Sequence, residues 1–363
     1  MFWHMVAEYL LFLAKSVTLV LAVVAVLLSL SVFGRKARPA GVLELKDLND
    51  KFRDYQMQMQ MQVLPHKAMK ALLKQEKKAE EEKEKAQEKA MKIQQQQSKS
   101  ASESGIADPV DPTDKRVYVL KFDGDIKASA VEALREEITA ILQIVRPEAD
   151  RVVLCLESPG GVVHGYGLAA SQLRRLRQAK VSLDICVDKV AASGGYLMAA
   201  LADRIIAAPF AIVGSIGVVA QLPNFNRLLK KYDIDIELHT AGAYKRTLTM
   251  LGENTEAGRQ KFREELEETH LLFKQWVKEA RPALDIEQVA TGEHWYGQTA
   301  LALRLIDEIA TSDDHLGQLA KEASLYEVTY HLPEPFLQRL SHSLMHALES
   351  TLLRLLGSVR FIA

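Results

Sequence analysis

The sequence predicts an α/β fold in which mostly parallel strands are covered by helices. From residue 116 onwards, short apolar runs of the kind that form buried strands alternate with longer segments of helical periodicity. Glycines and other turn-forming residues separate the two kinds of segment, as in successive βαβ units. The chain has 363 residues, of which 48% are hydrophobic, and can therefore bury a sizeable core.

Five elements of this pattern follow one another in the first part of the α/β domain. Strands are predicted at residues 117–122, 152–156 and 181–187, with helices at residues 129–143 and 167–179 between them. Because a helix separates each strand from the next, neighbouring strands are expected to run parallel.

The second part of the domain begins with an apolar stretch, residues 190–222, that is long enough to suggest a membrane span. Asp203, Arg204 and several turn glycines interrupt it, so it predicts a core helix, a loop and a buried strand instead. Residues 255–280 then predict a long amphipathic helix, and residues 292–309 a closing segment with a short helix.

The whole chain divides into four predicted regions. A membrane anchor occupies residues 1–38, and a charged helical spacer with a flexible linker occupies residues 39–112. The α/β domain covers residues 113–332, and an amphipathic helix forms the tail, residues 333–363. The tail helix is suited to a subunit partner, to the membrane surface or to its own domain.

The anchor is a single apolar segment at about residues 9–33, broken only by Lys15 and a few serines. It is long enough to cross about 30 Å of hydrocarbon. No good cleavage site follows it, which favours an uncleaved signal anchor. Arg35, Lys36 and Arg38 flank its C-terminal end, so the positive-inside rule places the rest of the chain in the cytoplasm.

Charge and cysteine content narrow the function classes. The chain carries 46 basic and 47 acidic side chains, a balance that argues against a nucleic-acid partner. Cys155 and Cys186 both lie in apolar, strand-like runs, so buried free thiols are expected.

Two serine motifs point to the chemistry. The first, a Ser-Pro-Gly-Gly turn beginning at Ser158, directly follows the strand at residues 152–156. In the second, Ser193 is followed by Gly194 and Gly195 and opens an Ala- and Leu-rich helical segment. A hydroxyl at a helix N-terminus lies beside unpaired backbone N–H groups. Acyl transfer needs both a nucleophile and donors for the developing oxyanion.

A serine nucleophile also needs a base, and Lys245 is the candidate. It follows a short run of small, uncharged residues. Desolvation lowers the pKa of a lysine, and Arg246 would lower it further as a like charge facing the same cavity. Alone, Lys245 would be an ordinary surface lysine, so its weight comes from the serine motifs that accompany it.

Four motifs in this order closely resemble the signal peptide peptidase A family of serine-lysine peptidases, in particular its membrane-anchored bacterial branch. The resemblance covers about residues 116–309, and the anchor and charged stretch fit the same arrangement. It implies the spiral α/β fold shared by the Clp protease and crotonase groups, preceded here by one transmembrane helix and a charged helical stretch. The motifs are Ser158-Pro159-Gly160-Gly161, Ser193-Gly194-Gly195-Tyr196, Gly214-Ser215-Ile216-Gly217-Val218 and Gly242-Ala243-Tyr244-Lys245.

The resemblance also implies roles for individual residues. Ser193 would be the nucleophile, Lys245 the general base and acid, and Ser215 a hydroxyl that hydrogen-bonds the lysine. Backbone N–H groups of Gly161 and Gly194 would form the oxyanion hole. A serine endopeptidase that works through an acyl-enzyme, without a metal or cofactor, is therefore expected.

The partners implied by the resemblance are further copies of the chain, membrane lipid around the anchor, and peptides or unfolded proteins as substrates. Members of this family assemble into rings or domes, and in some the lysine comes from a neighbouring subunit. Ser193 and Lys245 would then pair within or between chains. The better-known members act on the periplasmic side of the inner membrane, which conflicts with the charge rule.

Other residues compete for these roles. His164, just after the glycine turn, and His239, in an alternating segment before Lys245, are rival bases, although both fit solvated positions. Ser158 also fits ordinary turn chemistry. Three aspartates could complete a triad only with a placed histidine: Asp184, Asp188 and Asp203.

Two functions other than a peptidase stay open for the same fold. One is a non-hydrolytic oligomeric membrane scaffold whose glycine turns hold extended peptides or acyl groups. The other is a crotonase-like acyl-CoA enzyme. Neither gives the pair of Ser193 and Lys245 a role.

Overall fold

Parallel strands dominate the computed structural model, which describes residues 8–19, 22, 41–65, 67–70, 74, 78, 85 and 115–332. In these residues the strands are β1 (Val42–Asp47), β2 (Arg116–Asp123), β3 (Arg151–Glu157), β4 (Ser182–Val187), β5 (Val190–Ala192), β6 (Arg204–Ala207), β7 (Ile212–Gly214), β8 (His294–Tyr296), β9 (Glu308–Ile309) and β10 (Ser324–His331). A seven-stranded sheet has the order β1-β10-β2-β3-β4-β6-β9, and a three-stranded sheet has the order β5-β7-β8.

The helices that accompany these sheets follow the predicted alternation. They are α1 (Leu48–Val63), α2 (Val131–Ile144), α3 (Val163–Gln178), α4 (Gly194–Ala199), α5 (Asn226–Lys231), α6 (Glu256–Ala280), α7 (Ile286–Val289), α8 (Gly297–Ala302) and α9 (Ser312–Leu319). Within the large sheet, the pairs β10–β2, β2–β3, β3–β4, β4–β6 and β6–β9 are all parallel. The predicted α/β class with mostly parallel strands is confirmed.

The bounds of the first strands agree with the prediction to within one residue at each end. The helix between β3 and β4 agrees less well, because α3 begins at Val163 rather than at residue 167. Gly165 and Gly167 made its first turn resemble a loop in the sequence, since glycine weakens helices. In the structure Gly165 lies close to the Lys127 carbonyl, where a side chain would not fit.

The central strands of the large sheet, β2, β3 and β4, are buried on both faces, as expected for parallel strands. Along β2, Tyr118, Leu120 and Phe122 belong to a large apolar core that includes residues of α2 and α3. The alternate residues Val117 and Val119 belong to a smaller core that includes residues of α9. Because successive side chains of a strand point to opposite faces, the two cores lie on opposite sides of the sheet.

The two predicted serine motifs meet where the large and small sheets join. Ser158 follows β3 and forms a parallel bridge with Ala191 in β5. The Ser158 N–H donates to the Val190 carbonyl at 2.8 Å, and the Ala192 N–H donates to the Ser158 carbonyl at 3.0 Å. β5 ends directly before Ser193, so the first motif is hydrogen-bonded to the strand that carries the second.

Part of the predicted spacer packs on the α/β domain. One compact unit extends from Leu43 to Tyr330 and includes α1 and all of β1 except its first residue. The Asn49 side-chain amide donates to the carbonyls of Ala320 and Ala323, and its oxygen accepts from the Leu325 N–H. The beginning of the predicted spacer is therefore attached to the last helix and strand of the domain.

The predicted membrane anchor lies mostly outside the described residues. Residues 8–19 are helical and belong to a second unit that comprises residues 1–42 and 331–363. Among the described residues, no helix is both long and apolar enough to cross a membrane. The predicted linker at residues 98–112 also lies outside the described part. So does the predicted tail helix at residues 333–363, because the described residues end at 332.

The alternating segment that contains His239 is not a strand in the single chain. Apolar and polar residues alternate at 234–240, with His239 on the polar side together with Asp235 and Glu237. Residues 232–250 form neither helix nor strand, and all of residues 231–246 are exposed. No strand of the described chain pairs with this segment, so the alternation has no face to bury.

Candidate active site

Ser193 lies in the sharp turn between β5 and α4. Its φ of 51° and ψ of −117° are rarely adopted by residues other than glycine and cost about 1–3 kcal/mol. The neighbouring strand holds the turn, because the Ser193 N–H donates to the Gly214 carbonyl at 2.8 Å. The Ser193 carbonyl accepts from the Leu197 N–H at 3.0 Å, in the first turn of α4. Ser193 therefore lies at a helix N-terminus, in a strained backbone.

Two glycines beside Ser193, Gly160 and Gly194, lie where a side chain would not fit. Gly160 has a φ of 89°, and a Cβ at this position would lie 2.7 Å from the Cβ of Ser193. A Cβ on Gly194 would lie 2.4 Å from the ring of Tyr166. Real carbon atoms do not approach so closely, so the contact between the glycine turn and Ser193 depends on the missing side chains.

Two backbone N–H groups near Ser193, those of Gly161 and Gly194, have no hydrogen-bond partner among the described residues. Both residues line the same cavity as Ser193. Gly194 is the first residue of α4, and the first N–H groups of a helix have no acceptor within it. The N–H of Gly160, in contrast, donates to Ser158 Oγ at 3.0 Å. Two available donors beside a hydroxyl are the elements of an oxyanion hole.

The cavity beside Ser193 has a volume of about 1020 Å³. Helix α6 supplies part of its wall and is held against α4 by the Trp276 indole N–H, which donates to the Leu197 carbonyl at 3.1 Å. A cavity of this size with a few polar groups is typical of a ligand site. Its apolar lining includes Ile126, Val163, Leu197, Val218, Phe273 and Trp276.

Ser215 lines the same cavity, directly after β7. It too has a positive φ, of 52°, and its N–H donates to the Glu293 carbonyl at 2.7 Å. The preceding residue, Gly214, lies so close to the Trp295 ring that a Cβ would be 2.8 Å from it. These contacts hold Ser215 at the cavity wall, half-buried.

Lys245 lies apart from this cavity in the single chain. It is exposed, in a turn where its own N–H donates to the Gly242 carbonyl at 3.2 Å. Within the described chain its side chain makes no hydrogen bond or ion pair, and it is not among the residues that line the cavity. The structure therefore brings together the predicted serines and glycines, but not the predicted lysine.

The histidines are placed in two different environments. His164 and His239 are exposed and do not line the cavity, which agrees with solvated positions. His270, which sequence reasoning missed, does line the cavity, and its Nε2 is buried without a partner in the described chain. The sequence does carry a signal for this position. His270 lies three and seven residues before the apolar Phe273 and Val277, and residues with this spacing share one helix face.

The aspartates considered as triad members belong to the scaffold. Asp184 is buried and is hydrogen-bonded to Arg151 and to Nε2 of His315. Burial opposes the ionisation of Asp184, but the bonds from His315 and Arg151 outweigh it and lower its pKa. Asp188 accepts from the first residue of α9, and Asp203 accepts from the backbone of β4. None of these contacts orients a histidine of the cavity.

The two cysteines also lie outside the cavity. Cys155 and Cys186 are free and face each other in register across β3 and β4. Burial raises the pKa of Cys155 to about 11, so its thiol stays protonated at neutral pH. In the described part of the chain, no group of three or more His, Cys, Asp and Glu side chains could hold a metal ion.

Comparison with known proteins gives two matching family models and close relatives along most of the chain. Residues 4–173 match the model for the N-terminal part of peptidase family S49, and residues 175–326 match the model for peptidase family S49 itself. A probable protease SohB from Haemophilus influenzae is 50% identical over 332 residues, which cover 91% of this chain and 90% of that protein. A putative protease SohB from Buchnera aphidicola subsp. Baizongia pistaciae is 39% identical over 359 residues, which cover 99% of this chain and 100% of that protein.

Solved structures give weaker matches. Two structures of the 1510-N membrane-bound stomatin-specific protease have TM-scores of 0.36 and 0.35, at 16% and 17% identity. Each covers 56% of this chain, and the matches cover 84% and 80% of the two solved chains. The second of these structures is a complex with a substrate peptide.

The matching family models and the similarity to these relatives show that the chain is a peptidase. The chain belongs to peptidase family S49, the signal peptide peptidase A family, and within it to the SohB-type proteases. The family that the four motifs predicted is thereby confirmed.

Proposed function

We propose that the chain is a membrane-anchored serine endopeptidase in which Ser193 is the nucleophile and Lys245 the general base. One observation carries the proposal, namely that a strained serine lies beside the unpartnered N–H groups of Gly161 and Gly194 in one cavity. Acyl transfer requires this combination of an accessible hydroxyl and oxyanion donors. The framework would be the spiral α/β fold of the Clp protease and crotonase groups.

The proposed reaction has two stages. Ser193 Oγ attacks the carbonyl carbon of the scissile peptide bond, and its proton passes to the neutral amine of Lys245. The resulting oxyanion accepts hydrogen bonds from the N–H groups of Gly161 and Gly194. The C–N bond then breaks, the leaving amine takes the proton from Lys245, and an acyl-enzyme remains. Water attacks the acyl-enzyme with Lys245 again as the base, which releases the acid product and regenerates Ser193.

This reaction needs a neutral Lys245, and we propose that a neighbouring copy of the chain provides the burial that makes it neutral. The segment around the lysine, residues 231–250, exposes large apolar side chains, with Tyr232 at 66% exposure. A group of exposed large apolar residues in one segment is typical of an interaction surface. Burial in an interface lowers the pKa of a lysine. The other exposed large apolar residues of this segment are Ile234, Ile236, Leu238, Tyr244 and Met250.

In this assembly the segment would deliver Lys245 to the cavity of the adjacent copy. Ser215 lines that cavity, and its hydroxyl is able to donate a hydrogen bond to the arriving amine or to accept one from it. The catalytic dyad would then be shared between subunits, in line with what the family resemblance implies. A single chain would carry the nucleophile and the oxyanion donors but not a working base.

The substrates we propose are membrane-associated peptides or unfolded proteins. The apolar lining of the cavity, which includes Phe273 and Trp276, favours an apolar substrate side chain. The apolar segment at residues 9–33 would anchor the enzyme in the inner membrane and keep it close to such substrates.

The experiment that tests the dyad is cleavage of an unfolded protein by full-length protein in detergent. Ser193→Ala and Lys245→Ala are each expected to lose at least about 10⁴-fold in kcat. Co-expression of the two variants in equal amounts is expected to restore roughly a quarter of the active sites, if each site takes its serine and lysine from adjacent copies that mix at random.

The outcomes separate the alternatives. Wild-type activity in Lys245→Ala would contradict the lysine base and make His270 the candidate, so His270→Gln is measured beside it. No recovery on co-expression would place both dyad residues in one chain. A fluorophosphonate that fails to label Ser193 in the folded, oligomeric wild type would contradict the hydrolase and favour a non-hydrolytic scaffold.

A further inference from the structure

A chain of hydrogen bonds runs beneath the turn that carries one of the oxyanion donors. The Gly160 N–H donates to Ser158 Oγ at 3.0 Å, and the Ser158 hydroxyl donates to the Tyr166 hydroxyl at 2.6 Å. The Tyr166 hydroxyl in turn donates to the Asp125 carbonyl at 2.8 Å. Ser158 and Tyr166 are both fully buried, so the bonds form in a low-dielectric interior where they strengthen one another.

The N–H of Gly161 lies between two peptide groups that are held in place. On one side, Ser158 Oγ holds the Gly160 N–H. On the other side, the Val162 N–H donates to the Ile126 carbonyl at 2.8 Å. The turn also lies very close to this carbonyl, because a Cβ on Gly161 would be 2.1 Å from its oxygen. The direction of the Gly161 N–H is therefore set by both attachments.

Tyr166 contacts both halves of the proposed oxyanion hole. Its hydroxyl supports the Gly161 turn through Ser158. Its ring packs against Gly194, where a Cβ would lie 2.4 Å from the ring. Burial raises the pKa of Tyr166, so its hydroxyl keeps the proton that it donates, at neutral and moderately alkaline pH.

We propose that Tyr166 and Ser158 are positioning residues that hold the oxyanion hole in its working geometry. The inference rests on the proposed serine peptidase mechanism and deepens it. An oxyanion donor stabilises the transition state, in which charge develops on the carbonyl oxygen, more than it stabilises the bound substrate. Loss of the hydrogen-bond chain therefore lowers kcat and leaves KM nearly unchanged.

The test begins with Tyr166→Phe, which removes the hydroxyl and keeps the ring against Gly194. We expect kcat to fall about 10- to 100-fold, somewhat less than the loss caused by removing an oxyanion donor outright, with KM within about twofold of wild type. The affinity for a peptide aldehyde is expected to fall by the same factor as kcat/KM, because the aldehyde adds to Ser193 Oγ and its oxygen occupies the hole.

Ser158→Ala interrupts the same chain one step closer to Gly160. We expect a loss of kcat similar to that of Tyr166→Phe. The double variant is expected to lose no more than the larger single loss, because both substitutions break one chain. Full additivity of the two losses would contradict a single chain. Ser158→Ala also decides the question if Tyr166→Phe does not fold.

Ser312→Ala is the matched control for Ser158→Ala. Ser312 is also buried, and its hydroxyl donates to Asp188, but it is not among the residues that line the cavity. We expect Ser312→Ala to lose thermal stability to a similar extent as Ser158→Ala while it keeps the wild-type kcat.

Three results would overturn the proposal. One is a wild-type kcat in Tyr166→Phe, and another is a rise in KM that accounts for the whole loss. The third is an equal fall in kcat in Ser158→Ala and Ser312→Ala, which would indicate general destabilisation. Ser193→Ala separates this proposal from the peptidase mechanism. If Ser193→Ala is inactive and Tyr166→Phe has wild-type activity, only the positioning role of Tyr166 is contradicted. Wild-type activity in Ser193→Ala would instead contradict the proposed peptidase mechanism.

Discussion

The two halves of the proposed catalytic site are built in opposite ways. Around Ser193, the ends of β3, β5 and β7 hold the backbone by hydrogen bonds, and the adjoining Ser158 and Tyr166 are fully buried. Around Lys245, residues 232–246 are exposed and form neither strand nor helix. Under the proposed mechanism, the chain prepares its nucleophile by folding but acquires its base only by assembly. Such a division would keep an isolated chain inactive.

The sequences of the two halves differ in a corresponding way. The Ser193 region consists of small and apolar residues whose contacts lie within the chain. The lysine segment alternates apolar and acidic residues between Ile234 and Leu238, a pattern typical of a strand with one buried face. Its apolar side chains Ile234, Ile236 and Leu238 are exposed in the described part of the chain. The segment is therefore suited to pack against another chain.

The largest expected effect comes from weakening the scaffold half at Asp150. This carboxylate lies directly before β3 and is completely buried between Arg116 and Arg146, at 2.9 and 2.7 Å from their guanidinium nitrogens. Asp150→Asn keeps the size but removes the charge between two cations. We expect the free energy of unfolding to fall by about 3–5 kcal/mol in chemical denaturation.

The matched control for Asp150→Asn is Glu132→Gln, at an exposed ion pair with Arg135. A pair in solvent contributes little, so we expect a change of no more than about 1 kcal/mol. Equal losses in the two variants would show that the buried carboxylate has no special role in the scaffold.

The same carboxylate predicts a dependence on pH. Burial opposes the ionisation of Asp150, but the hydrogen bonds from Arg146 and Arg116 outweigh it and lower its pKa in the folded state. Its contribution is therefore present above about pH 4, the usual range for an unfolded aspartate, and is lost as the pH falls through the folded value. Asp150→Asn is expected to lose less stability over this interval than the wild type.

A further prediction concerns the lysine half of the proposed site and uses Ile236, which is 40% exposed. Ile236→Glu places a charge on the surface that we propose becomes an interface. We expect assembly to weaken by about 2 kcal/mol, roughly thirtyfold, with a similar loss of activity per chain at low protein concentration. Sedimentation and a concentration series of the peptidase assay measure both effects. The unfolding of the chain itself is expected to change little.

Val63→Glu is the control for this substitution, because Val63 is a highly exposed apolar residue at the end of α1, outside the lysine segment. It is expected to assemble and cleave as the wild type does. If Ile236→Glu behaves in the same way, the lysine segment is not an interface, and Lys245 must reach Ser193 by a rearrangement within one chain.

The scaffold half was more predictable from the sequence than the lysine half for a physical reason. Strands buried on both faces, such as β2 and β3, appear as continuous apolar runs, and their bounds were predicted closely. β1 was missed because it lies at a sheet edge and nearly all of it is exposed. The alternating segment at residues 234–240 has the pattern of a strand, but a pattern does not say which chain provides the partner.

Within the site, the motifs identified the residues but not their geometry. The positive φ of Ser193 depends on its bond to Gly214 and on the close approach of Gly160. The contact between Ser158, Tyr166 and the Asp125 carbonyl joins residues up to 41 positions apart, so no local pattern reveals it. Ser158 fitted turn chemistry in the sequence. Its burial and its bond to the Gly160 N–H are visible only in the fold.

The smallest expected effect tests whether the Ser193 turn stores strain. Ser193→Ala and Ser193→Gly both remove the nucleophile, but only glycine adopts a φ of 51° without a steric cost. We therefore expect Ser193→Gly to be more stable than Ser193→Ala by about 1 kcal/mol in thermal or chemical denaturation. Ser171, in the middle of α3, provides the opposite case, because glycine there should be less stable than alanine by a similar amount. If alanine is more stable than glycine at both positions, the scaffold holds Ser193 without strain. The contrast with the lysine half would then depend on burial alone.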